Sequence, residues 1–209
     1  MKVLLVNGSP KKNGCTNEAL LEVERSLRDN GIDTEIYWLG NKAISGCLGC
    51  GKCFSSKRCI INDKVNEFLD KCSDADGFIF GSPVHYSGPS GFIQPFMDRV
   101  FYGKANLFKG KPAACVTSCR RAGGLSTFDR LNKYFMYSCM PVVSSNYWNG
   151  VFGATPEEVR NDKEGMQTMR ILGNNMAWLL KCIEMGKNNG IEFPKNEKKI
   201  MTSFHREDN

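Results

Sequence analysis

The sequence predicts an α/β fold in which helices cover both faces of a parallel sheet. Three observations carry this: short, near-continuous apolar runs, amphipathic segments between them, and a regular alternation of the two. "KVLLVN" (2–7) is such a run, ending at Gly8 as buried parallel strands do, and "NEALLEVERSLRDNG" (17–31) follows with helical spacing and a glycine stop. "DTEIYWL" (33–39) reads as the second strand, "KVNEFLDKC" (64–72) as a short helix and "GFIFGSP" (77–83) as a buried strand. "GFIQPFMDRVF" (91–101) is helical, with Pro95 distorting it or marking an early position. "AACVTS" (113–118) is a strand, "STFDRLNKYFMYS" (126–138) a helix and "MPVVSSNYW" (140–148) the fifth strand.

Five strands suit the flavodoxin-like order 2-1-3-4-5, a three-layer sandwich whose ligands bind outside the carboxyl ends of the strands. Beyond Gly153, Thr155 as cap, Pro156 at the first helical position and Glu158 three residues after the cap form a capping-box pattern. The stretch 166–186 reads as a long closing helix that "NNG" (188–190) ends. With no internal repeat and no low-complexity linker, one domain over 1–190 and a C-terminal tail over 191–209 are expected in this 209-residue chain.

No apolar run approaches the roughly 20 residues of a membrane span. "MKVLLVNGSP" is too short in its apolar part for a signal peptide and lacks a small-residue cleavage site, so a cytoplasmic protein is expected. The net charge of +6 comes from scattered residues without a basic stripe, so neither a nucleic acid nor a membrane is expected as partner. Phosphate-bearing ligands suit that balance better. Ten cysteines, four crowded into "GCLGCGKCFSSKRC" (46–59), point to metal or redox chemistry in a reducing compartment.

"NGSPKKNGCTNEAL" (7–20) joins the first strand to the first helix. Gly8 and Gly14 permit tight backbone, Ser9 and Thr16 supply hydroxyls, Lys11 and Lys12 supply charge, and Thr16 or Asn17 caps the helix. A helix N-terminus there favours an anion. The loop is neither a Walker A motif nor GxGxxG, which disfavours nucleoside triphosphates and a Rossmann-type dinucleotide site.

"GSPVHYSGPSGFIQPFMDR" (81–99), behind the phosphate loop and the cysteine motif, resembles the Ser-Pro-x-Tyr, Ser-Gly and Phe-x-Asp-Arg stretch of the NADPH-dependent FMN reductase family, in its iron–sulfur flavoprotein subgroup. "VVSSNYWNGVFG" and the segment from "TPEEV" to "MAWLLK" extend the likeness. The resemblance implies FMN, with its phosphate on the loop of Ser9, Lys11, Cys15, Thr16 and Asn17. It places the ring edge on the backbone of Pro83, Val84, His85 and Tyr86. The 117–124 loop, with Ser118, Arg120, Gly123 and Gly124, would complete the ring site. The flavin would carry the hydride from NADPH or NADH to an unnamed acceptor, so no catalytic side chain is expected, and His85 and Tyr86 shape and stack. A homodimer or homotetramer is also implied. Cys15 stands where the family often has Asn, Lys11 where Arg is common, His85 where Tyr is usual and Gln94 where Lys is frequent. These departures bear on affinity and substrate more than on flavin binding.

Cys47, Cys50, Cys53 and Cys59 offer four soft ligands at the compact spacing of a [4Fe–4S] motif. A four-cysteine zinc site fits less well, since paired Cys-x2-Cys knuckles lie further apart. Buried or redox-labile thiols are the third reading. Among rival functions, a phosphatase would use Cys115 and Arg121 in a Cys-x5-Arg cradle, but Cys115 falls inside a strand and leaves the Ser-Pro-Val-His-Tyr loop unexplained. The stronger rival is a non-enzymatic flavin and iron–sulfur electron carrier, in which Tyr147 and Trp148 are docking contacts; ordinary strand-end packing explains them equally.

Overall fold

The chain is seen in a computed structural model that describes residues 1–195, 197, 200 and 202. Its strands are β1 (Lys2–Asn7), β2 (Asp33–Trp38), β3 (Gly77–His85), β4 (Gly88–Pro89), β5 (Ala113–Cys119) and β6 (Gly150–Phe152). The helices are α1 (Cys15–Asp29), α2 (Lys52–Ser56), α3 (Lys64–Lys71), α4 (Ile93–Phe108), α5 (Gly124–Tyr137), α6 (Pro156–Asn161) and α7 (Lys163–Asn188). The main sheet runs β2-β1-β3-β5-β6 and is parallel throughout; β4 forms only a small antiparallel hairpin with β3. With that hairpin set aside, this is the expected 2-1-3-4-5 order.

The period of two along each strand explains the three layers. Val3, Leu5, Ile79, Ala114, Val116 and Val151 share one core with α1, α6 and α7. Leu4, Val6, Phe78, Phe80, Ala113 and Cys115 share the other with α3, α4 and α5. Phe68 of α3 centres this second core, its ring 5.2 Å from Phe96, 6.2 Å from Phe80 and 6.3 Å from Phe78. Because both faces are covered, the inner strands β1, β3 and β5 are buried along most of their length, whereas β2, at the edge, carries Asp33, Thr34 and Glu35.

Two expectations need correction. The fifth strand is not 140–148: only Val142 bridges to Ala113, and the paired strand is β6 at 150–152. Ser145 diverts the chain, its hydroxyl donating to the Tyr147 carbonyl (2.6 Å) and the Asn149 side chain (2.7 Å), a local bonding pattern that competes with a strand ladder. Second, α1 begins at Cys15 with Gly14 as cap and no side-chain cap bond, so Thr16 and Asn17 lie inside the helix. The cysteine segment contains the short helix α2. Pro95 takes the early position, third in α4. The α6 cap forms as expected, Thr155 Oγ1 accepting from the Glu158 N–H (3.3 Å) while Glu158 reaches back to the Ala154 N–H (2.6 Å). Of the expected tail, most lies outside the described residues. Among the described residues no helix is long and apolar enough to cross a membrane.

Candidate functional site

The carboxyl ends of β1, β3 and β5 open into a cleft of about 180 Å³. Ser9, Lys11, Cys15, Thr16, Pro83, Val84, His85, Ser118 and Arg120, all named from sequence, line it together. The loop after β1 is held by its own side chains. Asn7 accepts from the Ser9 N–H (3.0 Å) and donates to the Lys12 carbonyl (3.0 Å) and to Asn17 (3.2 Å). Trp38 donates its indole N–H to the Ser9 carbonyl (2.8 Å), and Ser90 donates to the Gly8 carbonyl (2.6 Å). Ser9, Thr16 and Ser118 are buried, and the Thr16 and Ser118 hydroxyls bond each other at 2.8 Å.

Buried hydroxyls, a helix N-terminus with no side-chain cap, and the cations Lys11 and Arg120 make this cleft suited to a phosphate. Lys12 is not part of it; its ammonium sits 5.9 Å from the Trp38 ring centre. Asn17 acts from behind, through Asn7. Cys15 donates its thiol to the Gly153 carbonyl (3.6 Å), and burial pushes that thiol up, so it stays protonated and neutral in the cleft wall.

Tyr86 does not line the cleft. It sits at the tip of the β3–β4 hairpin, fully exposed, and with Ser87 it takes positive φ (50° and 58°), as a tight two-residue turn demands. The hairpin is fastened to the start of α5: Ser126 donates to the Ser87 carbonyl (2.7 Å), and a Cβ at Gly123 (φ 87°) would fall 2.8 Å from Ser87 Oγ and 2.9 Å from Ser87 Cα. Only glycine satisfies both the backbone angle and the contact. Gly123 and Gly124 face an adjoining cavity of about 650 Å³, walled also by Leu125, Phe128, Tyr147, Trp148 and Phe152. Cys119 borders both spaces. Asn7, Trp38, Ser90, Cys119 and Gly153 were missed as site residues from sequence; "VNGSP" carried a signal for Asn7, since a short amide beside Gly-Ser suits a turn.

The four motif cysteines lie in a separate place, against α4, and share no lining residue with either space. Cys47, Cys50, Cys53 and Cys59 line one cavity of about 20 Å³ with Leu48, Ile60, Ile61, Tyr102 and Arg99. Their thiols are free, Cys47 and Cys50 are exposed, and burial raises Cys53. The reading of all four as buried filler therefore fails. Among the described residues no three metal-binding side chains converge as a single ion requires. Four soft thiols around one apolar cavity, with one buried cation, fit in chemistry a polynuclear iron–sulfur group, whose ligands stand further apart than those of one ion. Cys115, by contrast, is fully buried in β5, bonded to Asn132 (3.3 Å) and pushed far up by burial, which disposes of a phosphatase nucleophile there.

The strand order and the cleft at its switch point define a flavodoxin-like α/β protein. The family described as NADPH-dependent FMN reductase matches residues 1–155, and the chain belongs to it. It is 33% identical to an iron-sulfur flavoprotein of Methanocaldococcus jannaschii over 194 residues, covering 88% of this chain and 100% of that protein. An iron-sulfur flavoprotein of Archaeoglobus fulgidus is 29% identical, covering 86% and 97%. Among solved structures, the NAD(P)H:quinone oxidoreductase of Methanothermobacter marburgensis shares the fold at TM-score 0.64 and 17% identity, over 84% of this chain and 98% of that one.

Proposed function

We propose that this chain is an FMN-dependent oxidoreductase that takes reducing equivalents from NADPH or NADH and passes them, through a [4Fe–4S] cluster on its four motif cysteines, to an acceptor. The observation that carries this reading is the cleft of buried hydroxyls and cations at the uncapped start of α1, beside the hairpin and the 117–124 loop. FMN bound there supplies the hydride and electron transfer. The chain supplies the rest. Ser9, Thr16, Ser118 and the α1 N-terminus hold the phosphate, and Lys11 and Arg120 neutralise it. The backbone of Pro83–His85 lines the edge of the cleft, and Gly123 keeps the two ring loops together. The relatives named iron-sulfur flavoproteins support the cluster assignment, and the cysteine-lined cavity agrees with it.

A carrier that draws electrons only from protein partners is the second reading, favoured by the exposed Tyr147 and Trp148 beside the ring loops. Anaerobic purification, an absorbance spectrum, and iron and sulfide assays on one sample test both readings. Flavin bands that NADPH or NADH bleaches rapidly, with iron and sulfide each near about four per chain, are expected. Bleaching by a reduced ferredoxin alone would favour the carrier. No flavin after soaking with FMN would overturn the proposal.

A further inference from the structure

Arg99 of α4 has the least exposed charged side chain of the cysteine region, at 1%. Its guanidinium has five N–H groups and makes six contacts, one hydrogen being shared. Nε and Nη2 donate to the Cys59 sulfur at 3.3 and 3.2 Å. The outer end of the fork takes the Asp63 carboxylate, Nη1–Oδ2 at 2.6 Å and Nη2–Oδ1 at 2.9 Å. The remaining contacts are backbone carbonyls on either side of the motif, Ser45 at 3.3 Å and Ile61 at 3.0 Å. One side chain thus ties the entry and exit of the cysteine segment to α4. One turn further along the same helix face, a Cβ on Gly103 would fall 2.6 Å from the Cys53 sulfur and 2.7 Å from Cys53 Cβ. Residues i and i+4 of α4 therefore seat two of the four cysteines, Cys59 by hydrogen bonds and Cys53 by close packing.

We propose that Arg99 is the positioning residue of the cysteine motif and that its N–H donors to the Cys59 sulfur raise the reduction potential of the cluster ligated there. This rests on the cluster reading given above. Reduction adds one electron and breaks no bond, and the added charge is shared with the ligand sulfurs. Hydrogen bonds into a ligand sulfur therefore stabilise the reduced state more than the oxidised one. Arg99 is the only charged side chain among the described residues lining the cavity, and Asp63 balances its charge from outside that lining, so its effect on the sulfur comes through the two N–H···S bonds themselves.

The test uses the full chain with its cluster, in two measurements. A potentiometric titration followed by electron paramagnetic resonance compares wild type with Arg99→Gln and Arg99→Lys, the flavin potential serving as an internal control. Arg99→Gln should favour the oxidised cluster by about tenfold at a fixed potential, about 59 mV for one electron, and Arg99→Lys by less. An unchanged cluster potential in Arg99→Gln would overturn the inference. In case that variant fails to hold a cluster, wild type labelled with 15N in its arginine guanidinium groups gives the second reading. Nitrogen coupling to the reduced cluster is expected, and its absence overturns the inference even though iron is present. Wild type without iron would sink the cluster reading itself, and this inference with it.

Discussion

At the scale of single residues, the cleft at the start of α1 depends on hydroxyls that hold one another in place. Thr16 and Ser118 come from different elements and share a 2.8 Å bond, so each fixes the other's rotamer before a ligand arrives. Thr16→Val removes one member and leaves the other buried. A hydrogen bond to a charged group contributes about 1.5–3 kcal/mol, so FMN affinity should fall by about ten- to a hundredfold. Riboflavin, which lacks the phosphate, should bind the variant and wild type alike; equilibrium fluorescence titration with both ligands checks this. Most contact residues of this cleft were legible in the sequence because glycine, serine and lysine between a strand and a helix have few other uses. Their supports were not. Trp38 and Ser90 reach the loop from 29 and 82 residues away in the chain, and nothing in a linear pattern carries such a contact.

At the scale of elements, β1, β2 and α3 are fastened through Glu35, which pairs with Lys2 (2.7 Å) and Lys71 (2.8 Å). Hydrogen bonds from Lys2 and then Lys71 hold its carboxyl below the ordinary value near 4.5. A carboxyl lowered in the folded state contributes stability that is fully present above its unfolded value and lost as pH falls through the folded one. Glu35→Gln should therefore cost stability at pH 7, and the gap to wild type should close below about pH 4.5. Both pairs are partly exposed, so the cost is about 0.2–1 kcal/mol per pair. Urea denaturation at a series of pH values measures it. Element type followed from apolar period almost everywhere, because both faces of the sheet are covered and its inner strands β1, β3 and β5 are buried along most of their length. The fifth strand was misplaced because "MPVV" has the composition of a strand, whereas Ser145 and Asn149 hold the following turn through side-chain bonds that composition does not reveal. The absent α1 side-chain cap has a different origin: the cap position falls on Gly14, which has no side chain, and Thr16, already inside the helix, bonds Ser118 instead.

At the scale of the molecule, two cores flank one sheet, and the cysteine segment leans on only one of them. Phe68 anchors that core and lies on α3, the helix that follows directly from Asp63 and carries Asn66, whose side chain clamps Cys59 N–H (3.0 Å) and C=O (2.9 Å). Phe68→Ala should cost about 3–5 kcal/mol, the usual range for a fully buried phenylalanine. The proposed cluster should also be lost at a lower denaturant concentration than flavin, since α3 clamps Cys59 directly, whereas the cleft is held in addition by α1 from the other face of the sheet; following both chromophores in one titration distinguishes them. The sheet's outer margin at β6 has a consequence for what the protein can assemble into. β6 is three residues long, Gly153 turns its N–H inward to Cys119 (3.0 Å), and the outward N–H of Phe152 is taken by the Asp162 carboxylate (2.7 Å). An incoming backbone meets a negative charge where it needs a free donor. Copies of this chain cannot polymerise strand-to-strand through that margin, which leaves β2, at the opposite end of the sheet, as the one main-sheet edge among the described residues where backbone pairing could continue.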